Sequence, residues 1–129
     1  MATWTPDELA KIAAAEELEL ASVRHDGRPG KPVTIWVVRV GDDLYVRSWK
    51  GDAGAWFRAT QVRHAGHIEA GGVRKDVTFV SETGYDINDR IDAGYREKYR
   101  RHGGRYVDPM VAPTARAATI KLVPRSTTP

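Results

Sequence analysis

The stretch of sequence that decides the fold runs from Lys31 to Val46 and reads KPVTIWVVRVGDDLYV. Apolar side chains alternate on both sides of its first part, with Val33, Ile35 and Val37 on one face and Trp36 and Val38 on the other. A strand that is apolar on both faces is typical of the centre of a sheet or barrel. The turn at 41–43 then predicts a hairpin into a second strand over 44–49.

Further strand signals lie on both sides of this hairpin. Residues 17–24 alternate in polarity and are followed by a predicted turn over 25–30, while Gly71-Gly72 favours a second hairpin between strands at 64–70 and 73–82. The segment 117–123 is expected to be a closing strand. Six short, mostly antiparallel strands predict a closed or partly closed barrel, because closure removes exposed edges. We expect its interior to contain Val33, Ile35, Val37, Leu44, Val46, Val77 and Phe79.

Helix signals separate the groups of strands. Residues 1–16 contain an N-terminal helix that begins at a capping box, Thr5-Pro6-Asp7-Glu8. A short helix is predicted over 52–61 with Asp52 as its cap, a long one over 86–102, and a brief helical turn over 107–112. The whole chain, 1–129, is expected to form a single barrel domain with a frayed tail at 124–129.

Composition excludes several classes of site. The chain has 129 residues, a formal net charge of +3 and no cysteine, which excludes disulfides, zinc–cysteine sites, iron–sulfur clusters and a cysteine nucleophile. Its apolar runs are shorter than the roughly 20 residues that span a bilayer, and the N-terminus lacks a signal-peptide pattern. We therefore expect a cytoplasmic protein with no membrane partner. Nucleic acid is not an expected partner, because the basic cluster at 90–105 lies on a predicted helix away from the aromatic strands.

The run from Gly30 to Arg58 resembles the flavin-binding split β-barrel superfamily, which includes pyridoxamine-phosphate oxidase-like proteins and deazaflavin-dependent nitroreductases. The shared pattern is a Gly-x-Pro start, an apolar strand, a Gly-Asp hairpin, a strand ending near Lys50-Gly51, and an aromatic pair, Trp56-Phe57, that opens a helix. The detailed match covers about a quarter of the chain. The whole chain also looks like a small uncharacterised bacterial family adjoining that superfamily. The resemblance implies a mainly β fold, a six-stranded antiparallel split β-barrel with flanking helices.

The sequence departs from this pattern at two places. Only the four residues 52–55 separate Lys50-Gly51 from the aromatic pair, where nitroreductase-like relatives carry a longer Gly/Pro-rich segment. Residues 61–64 read QVRH, where those relatives tend to have an Asn-Pro turn. These departures bear on the identity of the cofactor and on catalysis rather than on the fold.

The resemblance implies a site for FMN or a deazaflavin coenzyme, which is a flat ring system on an anionic tail. Such a ligand needs cationic or amide donors for its phosphate and an apolar wall for its ring. The predicted cofactor-binding residues are Trp36, Arg47, Ser48, Lys50, Gly51 and Trp56. Arg47 is expected to be the bidentate phosphate partner and Lys50 a mobile point charge. The alternative is that Arg47 and Lys50 are ordinary strand-edge charges and that the tryptophans fill a core or a dimer interface.

Two functions from different classes follow from this site. The chain is either a flavin- or deazaflavin-dependent, nitroreductase-like oxidoreductase, or a non-catalytic binding module whose cofactor cleft is lost or repurposed. Split-barrel relatives generally build cofactor sites across a two-fold interface, so a homodimer is expected. No metal site is predicted, because His64 and His67 point to opposite faces of a predicted strand. No residue is assigned a catalytic role.

Overall fold

The structure is a computed structural model that describes residues 3–24, 26–28 and 30–125. Its strands are β1 Leu18–Ser22, β2 Val33–Ile35, β3 Val38–Val40, β4 Asp43–Arg47, β5 Ala65–Ala70, β6 Val73–Ser81 and β7 Thr119–Pro124. Its helices are α1 Pro6–Ala14, α2 Ala55–Arg63, α3 Tyr85–Lys98, α4 Gly104–Val111 and α5 Pro113–Arg116, with 3₁₀ turns at Gly51–Ala53 and Arg100–His102. The predicted turn at 25–30 and tail at 124–129 lie partly outside the described residues, the latter from 126 onward.

The strands form one antiparallel sheet in the order β2-β1-β5-β6-β7-β4-β3. The two edge strands, β2 and β3, follow each other in the chain and are separated only by Trp36 and Val37. Because two residues cannot span a flat seven-stranded sheet, the sheet must curl until its edges approach each other. The result is a half-barrel that is open between β2 and β3.

The prediction of six strands is wrong at the strand over 31–40, which the structure divides into β2 and β3. Of the predicted closed or partly closed barrel, the structure shows an open half-barrel. The backbone of Val37 bonds to side chains of the α3 region instead of to a neighbouring strand. Its N–H donates to the Tyr99 hydroxyl at 3.1 Å, and its carbonyl accepts from Lys98 Nζ at 2.7 Å. These partners satisfy the peptide groups at the point where the chain leaves one edge of the sheet for the other.

The sheet has an apolar cluster on each face. The first cluster fills the curl of the sheet and contains Val37, Leu44, Val46, Val77 and Phe79, as the sequence predicted. Val33 and Ile35 are only half-buried against it, because they lie on an edge strand. The second cluster joins β3 and β4 to the helices and contains Val38, Val40, Tyr45, Ile91, Tyr95, Tyr99, Val107 and Met110.

Helices α1 to α4 agree with the predicted ones in position and differ at their ends, whereas α5 was not predicted. In α1 the capping box is formed, with the Glu8 N–H donating to Thr5 Oγ1 at 3.1 Å. The helix expected to start at Asp52 begins at Ala55, because a 3₁₀ turn comes first and Gly54 is the N-cap. Among the described residues, no helix combines the length and apolar character needed to span a membrane.

Candidate functional site

A cleft of about 720 Å³ opens where four parts of the fold meet. Its walls are the edge strand β2 with Trp36, the end of β4 with residues 48–50, the start of α2 and one face of α4. Aromatic and other apolar side chains supply most of the lining, including Trp36, Trp49, Trp56, Tyr106, Pro109 and Met110. A concave site of this size with a few polar groups is typical of small-molecule binding.

The structure brings five of the six predicted cofactor-binding residues to this cleft, namely Trp36, Arg47, Ser48, Lys50 and Trp56. The sixth, Gly51, lies behind the wall with a backbone φ of +64°. A Cβ at Gly51 would lie 2.6 Å from Thr114 Cγ2, so this glycine allows close packing against α5. The predicted cofactor-binding residues did not include Arg105 and Tyr106 of α4, because the pattern 104–111 carries only a short helical signal.

Three tryptophans contribute to the aromatic part of the wall, together with Tyr106. Trp36 stacks on Tyr99 with 3.9 Å between ring centroids and an angle of 3° between the ring planes. Trp56 is half-buried against the edge of Phe57. Trp49 stands at the mouth with 58% of its surface exposed. This arrangement presents flat apolar surfaces to a ring system inside the cleft.

Positive charge and backbone amides lie on the same walls. Lys50 is exposed, with Nζ 5.4 Å from the centre of the Trp49 ring, and Arg105 lies on α4 above the Tyr106 ring. The first turn of α2 includes Ala55 and Trp56 of the lining and has no side-chain cap. Uncapped N–H groups and the helix dipole favour an anion at that end.

Arg47 was expected to be a phosphate partner, and the structure instead gives protein acceptors to all its N–H groups. Nε donates to Thr119 Oγ1 at 2.8 Å, and Nη1 donates to Asp92 Oδ1 at 2.5 Å and to the Met110 carbonyl at 2.9 Å. Nη2 donates to the carbonyl and side-chain oxygens of Asn88 at 3.2 and 2.8 Å. The side chain has no exposed surface. Arg47 therefore contributes to the cleft as part of its buried framework.

The Arg47 guanidinium belongs to a larger network of charges. Asp92 accepts from Arg116 through its second oxygen, and Arg116 also pairs with Asp89 at 3.1 Å. The hydrogen bond to Asp92 raises the pKa of Arg116 above its ordinary value. Two guanidinium groups thus face two carboxylates, and the Arg47–Asp92 pair forms the buried part of the set.

A second polar cluster lies behind Trp36. The Tyr99 hydroxyl donates to the Glu16 carbonyl at 2.8 Å, and burial raises the pKa of Tyr99. Burial also lowers the pKa of Lys98 to about 8. The Glu16 carboxylate contacts His102 and Arg101, which lower its pKa. These contacts hold Tyr99 in position and with it the ring on which Trp36 stacks.

The histidines considered as metal ligands are not brought together. His64 is the left-handed C-cap of α2, whereas His67 lies on β5 opposite Asp76 and Ala21. Within the described residues there is no group of three or more histidine, aspartate and glutamate side chains that could hold a metal ion.

Residues 8–122 match a family whose description is "Uncharacterized protein conserved in bacteria (DUF2255)". The chain belongs to this family. Among curated protein sequences, none matches the chain significantly.

Solved structures share the fold of this DUF2255 chain. The haem storage protein HutZ of Vibrio cholerae is 15% identical, with a TM-score of 0.66 over 97% of this chain and 92% of HutZ. An F420 reductase is 20% identical, with a TM-score of 0.55 over 92% of each chain. An FAD-binding protein of Mesorhizobium loti is 16% identical, with a TM-score of 0.57 over 97% of this chain and 93% of that protein. These likenesses show a split-barrel fold and, at such identities, the fold alone.

Proposed function

We propose that this chain binds an anionic flavin-type cofactor, FMN or a deazaflavin coenzyme, in the cleft and acts as an oxidoreductase on a small molecule. The observation that carries the proposal is the combination of three features in one cleft of about 720 Å³. Tryptophans provide flat walls, Lys50 and Arg105 provide positive charge, and the first turn of α2 provides uncapped amides. Solved structures with this fold include proteins named for FAD and for F420.

The residues of the chain have separate tasks in this proposal. Trp36 and Trp56 hold the ring, while Lys50, Arg105 and the amides of the first turn of α2 hold the phosphate. Ser48 and Gly54 also line the cleft, and the absence of a side chain at Gly54 leaves room for Ser48, because a Cβ at Gly54 would lie 2.4 Å from Ser48 Oγ. When bound, the cofactor supplies hydride chemistry, and the protein supplies its position and excludes water.

Replacing Lys50 with alanine is expected to weaken cofactor binding about ten- to a hundredfold, because one charge-assisted contact contributes about 1.5–3 kcal/mol. The measurement is a titration of the purified protein with FMN and with the deazaflavin coenzyme F420, followed by absorbance and tryptophan fluorescence. Arg58→Ala is the matched control, since Arg58 is an exposed cation on α2 that does not line the cleft. Equal losses of cofactor affinity in Lys50→Ala and Arg58→Ala would contradict the assigned role of Lys50.

The alternative function is a non-catalytic binding module on the same fold. Two observations favour it: the Arg47 guanidinium is fully used by protein acceptors, and only four residues separate Gly51 from Trp56. The same titration separates the two functions. If the wild-type protein binds neither FMN nor F420 at high micromolar concentration, the oxidoreductase proposal fails and the binding module replaces it.

We also propose that the chain forms a symmetric homodimer through the mouth of the cleft. Trp49 and Tyr106 line this mouth with 58% and 57% of their surfaces exposed, and exposed aromatic patches commonly mark interfaces. Sedimentation velocity at micromolar concentration is expected to give twice the mass of the 14.3 kDa chain. Trp49→Lys should give monomers, whereas Val62→Lys, at a position 73% exposed on α2, should not. A monomeric wild-type protein would contradict the proposal.

A further inference from the structure

Helix α4 forms one wall of the cleft, although the sequence of residues 104–111 favours a helix only weakly. It has only eight residues, its N-cap Gly103 makes no side-chain cap, and Pro109 lies inside it. A proline inside a helix removes one backbone hydrogen bond, and helices this short are marginal without tertiary contacts. The position of α4 must therefore be fixed from outside the helix.

Two kinds of contact attach α4 to the rest of the protein. Val107 and Met110 pack into the second apolar cluster. Such apolar contacts are non-directional, so they tolerate small shifts of the helix. The Met110 carbonyl, near the end of the helix, accepts a hydrogen bond from Arg47 Nη1 at 2.9 Å. That bond is directional, and it connects α4 to the end of β4, which forms another wall of the cleft.

The Arg47 side chain is itself held on several sides. The same Nη1 that reaches Met110 donates to Asp92, while Nε and Nη2 are bound to Thr119 on β7 and Asn88 on α3. A guanidinium presents its donors in a fixed plane, so partners on three sides determine the direction of the remaining N–H. A lysine at this position would keep the positive charge and lose the planar guanidinium, whose N–H donors point in fixed directions.

We propose that Arg47 is a positioning residue which, oriented by Asp92, holds α4 in place as the wall of the cleft through the Met110 carbonyl. Arg47 itself does not touch the ligand. The ligand-binding consequence rests on the proposed cofactor function, whereas the effect on α4 does not. Loss of the Arg47 guanidinium removes its hydrogen bond to the Met110 carbonyl. Helix α4 should then become mobile, and Arg105 and Tyr106 should move away from the cleft.

The test is hydrogen–deuterium exchange of the whole protein, wild type against Arg47→Lys, followed in peptides from α4 and from α1. We expect exchange in α4 to accelerate at least about tenfold while α1, which has its own capping box, stays unchanged. Unchanged exchange in α4, or an equal acceleration in both helices, would overturn the proposal. Ile68→Val, in the apolar cluster on the other face, is the control and should leave α4 unchanged.

A second variant and a second measurement keep the result interpretable. Asp92→Asn retains Arg47 and changes the group that orients it, so it should also accelerate exchange in α4. It takes the place of Arg47→Lys in the exchange experiment if Arg47→Lys fails to fold.

The second measurement is a titration with FMN and F420, in which Arg47→Lys should bind the cofactor about tenfold more weakly than Ile68→Val does. Equal affinities, with wild type binding, would overturn the role of Arg47 in the cleft. Should wild type bind neither cofactor, the proposed function fails and exchange in α4 still tests the positioning role.

Discussion

Replacing Asp92 with alanine is expected to lower the free energy of unfolding by about 3–5 kcal/mol. Asp92 is 7% exposed and accepts from two guanidinium groups, those of Arg47 and Arg116. The variant leaves the Arg47 charge buried without its carboxylate, and removing one partner of a buried pair costs more than the pair contributes. Urea denaturation followed by circular dichroism measures the change, with the slope of the transition as a check on two-state behaviour.

Asp89→Ala is the matched control for this experiment. Asp89 also lies on α3 and pairs with Arg116 at 3.1 Å, but its side chain is 72% exposed. Exposed ion pairs contribute about 0–1 kcal/mol, so this variant should remain close to wild type. Similar losses in the two variants would mean that burial of the Arg47 guanidinium does not determine the cost.

The second large effect is expected from Phe79→Ala, which should lower the free energy of unfolding by about 3–5 kcal/mol. Phe79 is 2% exposed on β6 and packs inside the curl of the sheet, opposite Leu122 of β7. Its removal leaves a cavity that the surrounding strands can close only in part, because the curl is fixed by their hydrogen bonds. Thermal and urea unfolding both measure this loss.

Val80 provides the control on the same strand. It follows Phe79 directly, points to the other face and is 43% exposed. Val80→Ala should therefore change the free energy of unfolding by less than about 1 kcal/mol. If Phe79→Ala and Val80→Ala lowered the free energy of unfolding by similar amounts, the assignment of the inner face of β6 would be wrong.

The fold leaves the choice of cofactor to the side chains of the site. Structures with this fold include proteins named for haem, F420 and FAD, so the architecture alone does not specify the ligand. In this chain the aromatic wall and the positive charge of Lys50 and Arg105 favour a flat, anionic molecule. The titration with FMN and F420 therefore tests whether these side chains select such a ligand, and it does not test the fold.

Local features of the fold could be predicted from the sequence. The capping box of α1, the hairpin at 71–72 and the repeat of Ile91, Tyr95 and Tyr99 along the α3 region each depend on residues close together in the chain. The same holds for the approximate place of the site, because Lys50 and Trp56 lie on neighbouring segments. Short-range geometry and hydrophobic period are sufficient for such features.

Features that depend on distant residues were decided only by the tertiary structure. The break between β2 and β3 requires Lys98 and Tyr99 to satisfy the backbone of Val37, more than sixty positions earlier. Arg47 has the residue type and place of a phosphate ligand, yet Asp92 and Met110 take its donors inside the fold. The sequence by itself determined the hairpins, the approximate positions of most helices and the place of Lys50 and Trp56 near the cleft. Which donors remain for a ligand depends on long-range hydrogen bonds, since a buried guanidinium must find its acceptors wherever packing brings them.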